Sequence, residues 1–99
     1  MFDPNISFAD LNKSALPYLP AILNRILPGG KIMGREYLAL NPRRPDSHLG
    51  SFKINLMTGR WADFAVRASG SDVTSLVAYL FDLSQTDAAR RVMQMIGGA

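Results

Sequence analysis

The chain has 99 residues, of which 47% are apolar and 19% charged, a composition typical of one globular domain rather than of a disordered segment. It contains no cysteine, which excludes disulfide bonds and thiolate metal sites. The first residues lack the basic start and apolar run of a signal peptide, and no apolar stretch reaches the roughly 20 residues of a membrane-spanning helix, so we expect a cytoplasmic protein without a membrane partner.

Two short amphipathic helices are predicted before residue 31. Ser7 suits the cap of the first helix, and Pro17 suits its end. Pro20 suits the first turn of the second helix, which runs to Leu27 and is terminated by the Pro-Gly-Gly sequence at 28–30. Because both helices carry a strongly apolar stripe, we expect this arm to pack on the sheet, on the C-terminal helices or on a partner.

Three strands are predicted in the centre of the chain. The first covers 35–40, and the second covers 51–56, where apolar and polar residues alternate strictly. A three-residue loop at 57–59, with Gly59 in the left-handed conformation, predicts a hairpin with a third strand over 60–66. The segment between the first two strands, 41–50, is rich in turn residues and predicts a loop.

Two further helices are predicted after the sheet. Ser71 or Asp72 can cap the first, and Ser84 can cap the second, which ends at the glycine pair 97–98. The predicted fold is therefore α+β and forms a single domain over 1–99. It has a helical arm over 1–30, a three-stranded antiparallel sheet over 31–67 and two C-terminal helices over 70–97.

Side chains with catalytic potential are scattered along the chain. The only histidine, His48, lies in the 41–50 loop beside Asp46 and Ser47, and neighbours in sequence are better explained by turn formation than by a triad, which assembles in space. No acidic pair has metal-binding spacing, and no glycine-rich phosphate loop occurs. We predict no catalytic residues, no metal and no cofactor, and therefore no enzymatic activity of the chain by itself.

Positive charge is concentrated in the centre of the chain. Between residues 31 and 67 there are seven basic and three acidic side chains, whereas the whole chain has a net charge of +3. Such segregation suits a polyanionic partner, although surface arginines also keep small domains soluble.

The predicted faces of the sheet sharpen this interpretation. We place Leu38, Leu40, Phe52, Ile54, Leu56, Ala62 and Phe64 against the core. The opposite face then holds aromatic rings among cations, as in a platform for single-stranded nucleic acid. The predicted nucleic-acid-binding residues are Arg35, Tyr37, Arg43, Arg44, Lys53, Arg60, Trp61 and Arg67. In the alternative interpretation, the helical arm covers Trp61 and Tyr37, since large aromatic side chains are usually buried.

The centre of the chain also resembles a known module. Zinc-ribbon modules of bacterial, phage and plasmid DNA primases and primase-helicases run Cys-Pro-x-His, then Ser-Phe, then Trp-x-Cys-Phe-x-Cys, then Gly-Gly-Asp. The corresponding segments here are Asn41-Pro42-Arg43-Arg44, Ser51-Phe52, the run from Trp61 to Val66, and Gly70-Ser71-Asp72. Asn41, Arg44, Asp63 and Val66 occupy the positions of the four zinc ligands.

The resemblance implies a zinc-ribbon-like sheet that has lost its metal. It further implies a DNA-replication role on a mobile element, with single-stranded DNA as the favoured partner and primase or helicase catalytic domains as possible further partners. We expect Asp63 to bond to Arg44 or Asn41 and so join the two loops that zinc would have joined. The alternative is a protein-interaction domain that kept this scaffold, with an adaptable surface formed by Met33, Met57, Met93 and Met95.

Overall fold

A computed structural model describes residues 7–97. Four α-helices, one 3₁₀ segment and five strands are present in this part of the chain. In order they are α1 (Phe8–Ala15), a 3₁₀ segment (Leu16–Tyr18), α2 (Leu19–Ile26), β1 (Lys31–Met33), β2 (Glu36–Ala39), β3 (Phe52–Asn55), β4 (Trp61–Asp63), β5 (Ala68–Gly70), α3 (Val73–Phe81) and α4 (Gln85–Ile96).

Side-chain caps begin three of the helices where the sequence predicts them. The Ser7 hydroxyl accepts a hydrogen bond from the Asp10 backbone N–H, and the Ser84 hydroxyl accepts one from the backbone N–H of Asp87. Asp72 and Ser75 form a reciprocal capping box at the start of α3. The predicted choice between Ser71 and Asp72 as cap is therefore decided in favour of Asp72.

The sheet has five strands, so the predicted three-stranded zinc-ribbon-like sheet is wrong. The strands pair in chain order, β1-β2-β3-β4-β5, and every pair is antiparallel. The two unpredicted strands lie at the edges and have only three residues each. Neither has an alternating pattern: β1 is exposed throughout, and β5 reads Ala-Ser-Gly, which has low strand propensity.

Helices cover one face of this sheet. Tyr37 and Ala39 from β2, Phe52 and Ile54 from β3, and Trp61 from β4 are buried there. They join apolar side chains from all four helices in one core. The opposite face of the sheet, called the outer face below, carries the alternate residues of the same strands.

The predicted sheet faces are correct for β3 and wrong for β2 and β4. Ile54 pairs with Tyr37 on one side and with Trp61 on the other, and directly paired residues of antiparallel strands lie on the same face. The predicted three-residue loop would have paired Ile54 with Ala62. Because a shift of one residue moves every side chain of a strand to the other face, this small error exchanged the buried and exposed sets of β4.

The β3–β4 turn explains the shift in pairing. The Asn55 N–H donates to the Arg60 carbonyl at 2.7 Å, so four residues, not three, separate the bonded positions. The Asn55 Oδ1 accepts hydrogen bonds from the backbone N–H groups of Met57 and Thr58 at 2.8 and 3.1 Å, which stabilises the longer turn. Gly59 has φ +82°, the left-handed conformation that the sequence predicts.

The N-terminal helices pack within the domain. Helix α1 lies against α3 and α4. Its Asn12 side chain donates to the Thr58 carbonyl at 2.8 Å and accepts from the Val73 N–H at 2.9 Å, so it joins the β3–β4 turn to the start of α3. Of the three predicted docking surfaces for the arm, the C-terminal helices therefore receive α1. No helix within residues 7–97 has the length and apolar character to cross a membrane.

Candidate nucleic-acid interface

A buried carboxylate joins the 41–50 loop to the end of β4. Asp63 is fully buried, and its Oδ2 accepts from Arg44 Nε at 2.7 Å and from Asn41 Nδ2 at 2.8 Å. Its Oδ1 accepts from the Ala65 N–H at 2.9 Å and from Arg44 Nη2 at 3.3 Å. The predicted bridge between the two loops is confirmed, and both of its alternative forms are present together.

The bridge keeps both Asp63 and Arg44 in their charged forms. Burial alone would raise the pKa of Asp63, but the hydrogen bonds from Arg44, Asn41 and the Ala65 backbone lower it below its ordinary value. The hydrogen bond to Asp63 raises the pKa of Arg44. Arg44 also contacts Asp46 at 3.1 Å, so its guanidinium is paired with two carboxylates. The Arg44 side chain is only 16% exposed.

Two predicted aromatic contacts lie on the wrong face. Tyr37 is 4% exposed and Trp61 is 5% exposed. The Tyr37 hydroxyl donates to the Leu27 carbonyl at the end of α2, and the Trp61 indole N–H donates to the Ser75 hydroxyl in α3. Both polar groups are satisfied inside the domain, so neither ring is available to stack on a base.

The other predicted contact residues divide into three groups. Lys53 lies in the middle strand on the outer face and is half-buried, whereas Arg60, just before β4, and Arg35 and Arg67, in the turns before β2 and β5, are exposed. Arg43 lies over the Tyr79 ring, with 5.7 Å between its Cζ and the ring centroid. The Arg44 guanidinium pairs with Asp63 and Asp46, so the prediction that it binds nucleic acid is not kept.

The outer face carries an aromatic side chain that the sequence reasoning placed in the core. Phe64 directly follows β4 and is 70% exposed, and its N–H donates to the Ser51 carbonyl at 3.0 Å. This bond continues the strand ladder, so Phe64 points to the face opposite that of buried Asp63. If Trp61 is paired with buried Ile54, alternation along the strand places Phe64, three residues later, on the outer face.

A shallow hollow of about 530 Å³ lies on the outer face beside Phe64. Lys53 and Ala62 line its middle, and Glu36, Asn55 and Arg60 line the end near the β3–β4 turn. Lys31 extends the basic row, because β1 pairs Lys31 with Leu38, which in turn pairs with Lys53. Lys31 is a second surface residue that the sequence reasoning did not select.

The positions that correspond to zinc ligands converge only in part. Asn41, Arg44 and Asp63 are in hydrogen-bond contact, whereas Val66 is an exposed side chain. Among the described residues, no group of three histidine, cysteine, aspartate or glutamate side chains could hold a metal ion.

Comparison of the chain with protein-family models, with curated proteins and with solved structures finds no match.

Proposed function

We propose that this domain binds single-stranded nucleic acid on the outer face of its sheet. The main support is the position of Phe64, an exposed ring at the edge of a hollow lined by Lys53 and Arg60. An aromatic ring accepts a stacked base of any sequence, and neighbouring cations attract the phosphates.

The charges of this face support the proposal. Lys31, Lys53 and Arg60 take part in no ion pair within the described part of the chain. Arg35 and Arg67 are further exposed cations, in turns that join strands of the sheet. Asp46 and Asp63 share one guanidinium, that of Arg44, so this cluster keeps one net negative charge, and the Glu36 carboxylate in the hollow adds another. The five cations outnumber these two negative charges, so the net charge of this side is positive.

The shape of the face favours a single strand over a duplex. A shallow hollow on a sheet suits splayed bases, whereas the major groove of duplex DNA admits a helix or a two-stranded ribbon. We further propose a relationship to the primase modules, supported by the contact among Asn41, Arg44 and Asp63, three of the positions where those modules hold zinc. A cytoplasmic role with replication enzymes is part of the same proposal.

The direct test is a titration of a fluorescein-labelled dT₁₂ strand, followed by anisotropy at 50 and 200 mM salt. Four phosphate contacts would weaken binding about fiftyfold over this range. Phe64→Ala and Lys53→Ala should each weaken binding, and Lys53→Ala should also reduce the salt slope. Lys13→Ala, which removes a cation from α1 on the helical side, is the matched control and should bind like the original chain. Absence of binding at 50 mM salt would refute the proposal.

A protein-interaction role is the second candidate. Ile32 and Met33 at the edge of the sheet are more than half exposed, and so is Met57 in the β3–β4 turn. The β1–β2 and β3–β4 turns adjoin, because the Leu56 N–H donates to the Arg35 carbonyl at 2.7 Å. Flexible methionines on such a surface suit an apolar partner. The other two methionines of the alternative prediction, Met93 and Met95, pack partly against the core.

A further inference from the structure

Two polar side chains stand next to each other at one end of the hollow. Glu36 of β2 and Asn55 of β3 are directly paired across the strands, and both line the hollow. Directly paired residues have Cβ atoms about 5 Å apart on the same face. Their functional groups can therefore contact one small planar ligand together.

The hydrogen-bonding capacity of the pair is partly used. The Asn55 Oδ1 already accepts from the Met57 and Thr58 N–H groups, and this orients the amide so that its Nδ2 remains as a donor. Glu36 is half-buried and makes no ion pair or side-chain hydrogen bond within the described residues. Glu36 and Asn55 thus bring two oxygens of one carboxylate, as acceptors, and one amide donor to this end of the hollow.

We infer that this end of the hollow reads a guanine base of the bound strand, an inference that rests on the proposed function. The Watson–Crick edge of guanine presents the O6 acceptor, then the N1–H donor, then the N2 amino donor. The Glu36 carboxylate accepts from N1–H and N2–H, and the Asn55 amide donates to O6.

The other bases match this edge less well. Thymine and uracil place a carbonyl oxygen where guanine has its amino group, so that oxygen would face the carboxylate. Adenine and cytosine each offer one amino group but no adjacent ring N–H, so a bidentate contact with Glu36 cannot form. A carboxylate that binds two donors at once is the more selective and the stronger arrangement.

The base read by Glu36 is a different one from the base stacked on Phe64. Phe64 and Arg60, which mark opposite ends of the hollow, are four residues apart, and a strand rises about 3.3 Å per residue. The two ends are therefore about 13 Å apart, which leaves room for neighbouring nucleotides. Lys53 lies between the two ends, where it can meet the phosphate that links them.

The test uses dT₁₂ strands with a single central guanine, hypoxanthine, adenine or cytosine. We expect the guanine strand to bind about tenfold more tightly than dT₁₂, the lower part of the range for a bidentate contact, because the hollow is open to water. Hypoxanthine has the guanine edge without the amino group, so it should lose most of this preference.

The Glu36→Gln variant separates base reading from general charge. It should bind dT₁₂ slightly more tightly, because one negative charge is removed, and yet lose the preference for guanine. Asp82→Asn, which removes a carboxylate from the end of α3, is the control and should keep that preference. Equal, salt-sensitive binding of all strands would overturn the guanine inference and leave the proposed function in place. Absence of binding to every strand would overturn both.

Discussion

Replacement of Asp63 by alanine tests how the two loops are held together without a metal. The change removes the acceptor for Arg44 Nε, for Asn41 Nδ2 and for the Ala65 N–H. Asn41 keeps its bond to the Tyr79 hydroxyl at 2.9 Å, and Arg44 keeps Asp46. The Ala65 N–H and the Arg44 Nε lose the partners that the structure assigns to them.

The size of the effect follows from burial. Hydrogen bonds to a charged acceptor contribute about 1.5–3 kcal/mol each, and removing one partner of a buried pair costs more than breaking an exposed one. Because the Arg44 side chain reaches solvent, the lower values apply. We expect the Asp63→Ala change to reduce the free energy of unfolding by about 2–3 kcal/mol, which corresponds to a melting temperature lower by roughly 10–20 °C in a domain of this size.

Urea unfolding measures this directly. The chain has one tryptophan, and Trp61 is buried beside Tyr79, with 4.9 Å between the ring centroids, so its fluorescence reports loss of the core. The midpoint should fall while the slope stays constant. Asp87→Ala is the control, because it breaks the exposed pair with Arg90 and should cost only about 0.5 kcal/mol. A loss for Asp63→Ala no larger than that of the control would refute the bridge as a stabilising element.

Three further predictions concern pH, the N-terminal helix and the binding face. The lowered pKa of Asp63 means that its carboxylate stabilises the fold above about pH 4 and that this contribution is lost as the pH falls through the folded-state pKa. Acid titration of Asp63→Asn should therefore give a flatter stability curve below about pH 4 than the original chain. Asn12→Ala removes both hydrogen bonds that join α1 to the β3–β4 turn and to α3, and should lower the free energy of unfolding by about 1–2 kcal/mol in the same urea assay. Phe64→Ala should weaken single-strand binding about tenfold at unchanged stability. Trp61→Phe should reduce stability, followed by circular dichroism because the variant has no tryptophan, and should leave binding intact. If the Trp61 change alone weakened binding, the assignment of the outer face would be wrong.

Under the proposed relationship to the primase modules, the bridge gives a physical account of how the two loops are held without zinc. A structural zinc ion contributes about 10 kcal/mol or more to a small finger, far more than the bridge supplies. The described chain has what such a finger lacks, namely four helices that bury one face of a five-stranded sheet in a shared core. In our interpretation, packing supplies the stability and the bridge sets the geometry of the two loops.

Local signals in the sequence determined the helices, the β3–β4 turn glycine and the β3 strand. Caps and apolar spacing act between residues a few positions apart, so Ser7, Asp72 and Ser84 could be read directly. The pairing of Asn41 and Arg44 with Asp63 was also predicted, although through the resemblance and not through local rules.

Only the tertiary structure decided which side of the sheet is open. That choice depends on whether Ile54 pairs with Trp61 or with Ala62, a difference of one residue in the length of a turn. Either pairing would give β4 an apolar inner face: Trp61 lies there in one case, and Ala62 and Phe64 lie there in the other. The Asn55 side chain bonds to the turn backbone, and the helices offer Ser75 and the Leu27 carbonyl to the buried Trp61 and Tyr37. These contacts join distant parts of the chain, so the sequence leaves burial of Trp61 as one of two interpretations and does not place Phe64 in solvent.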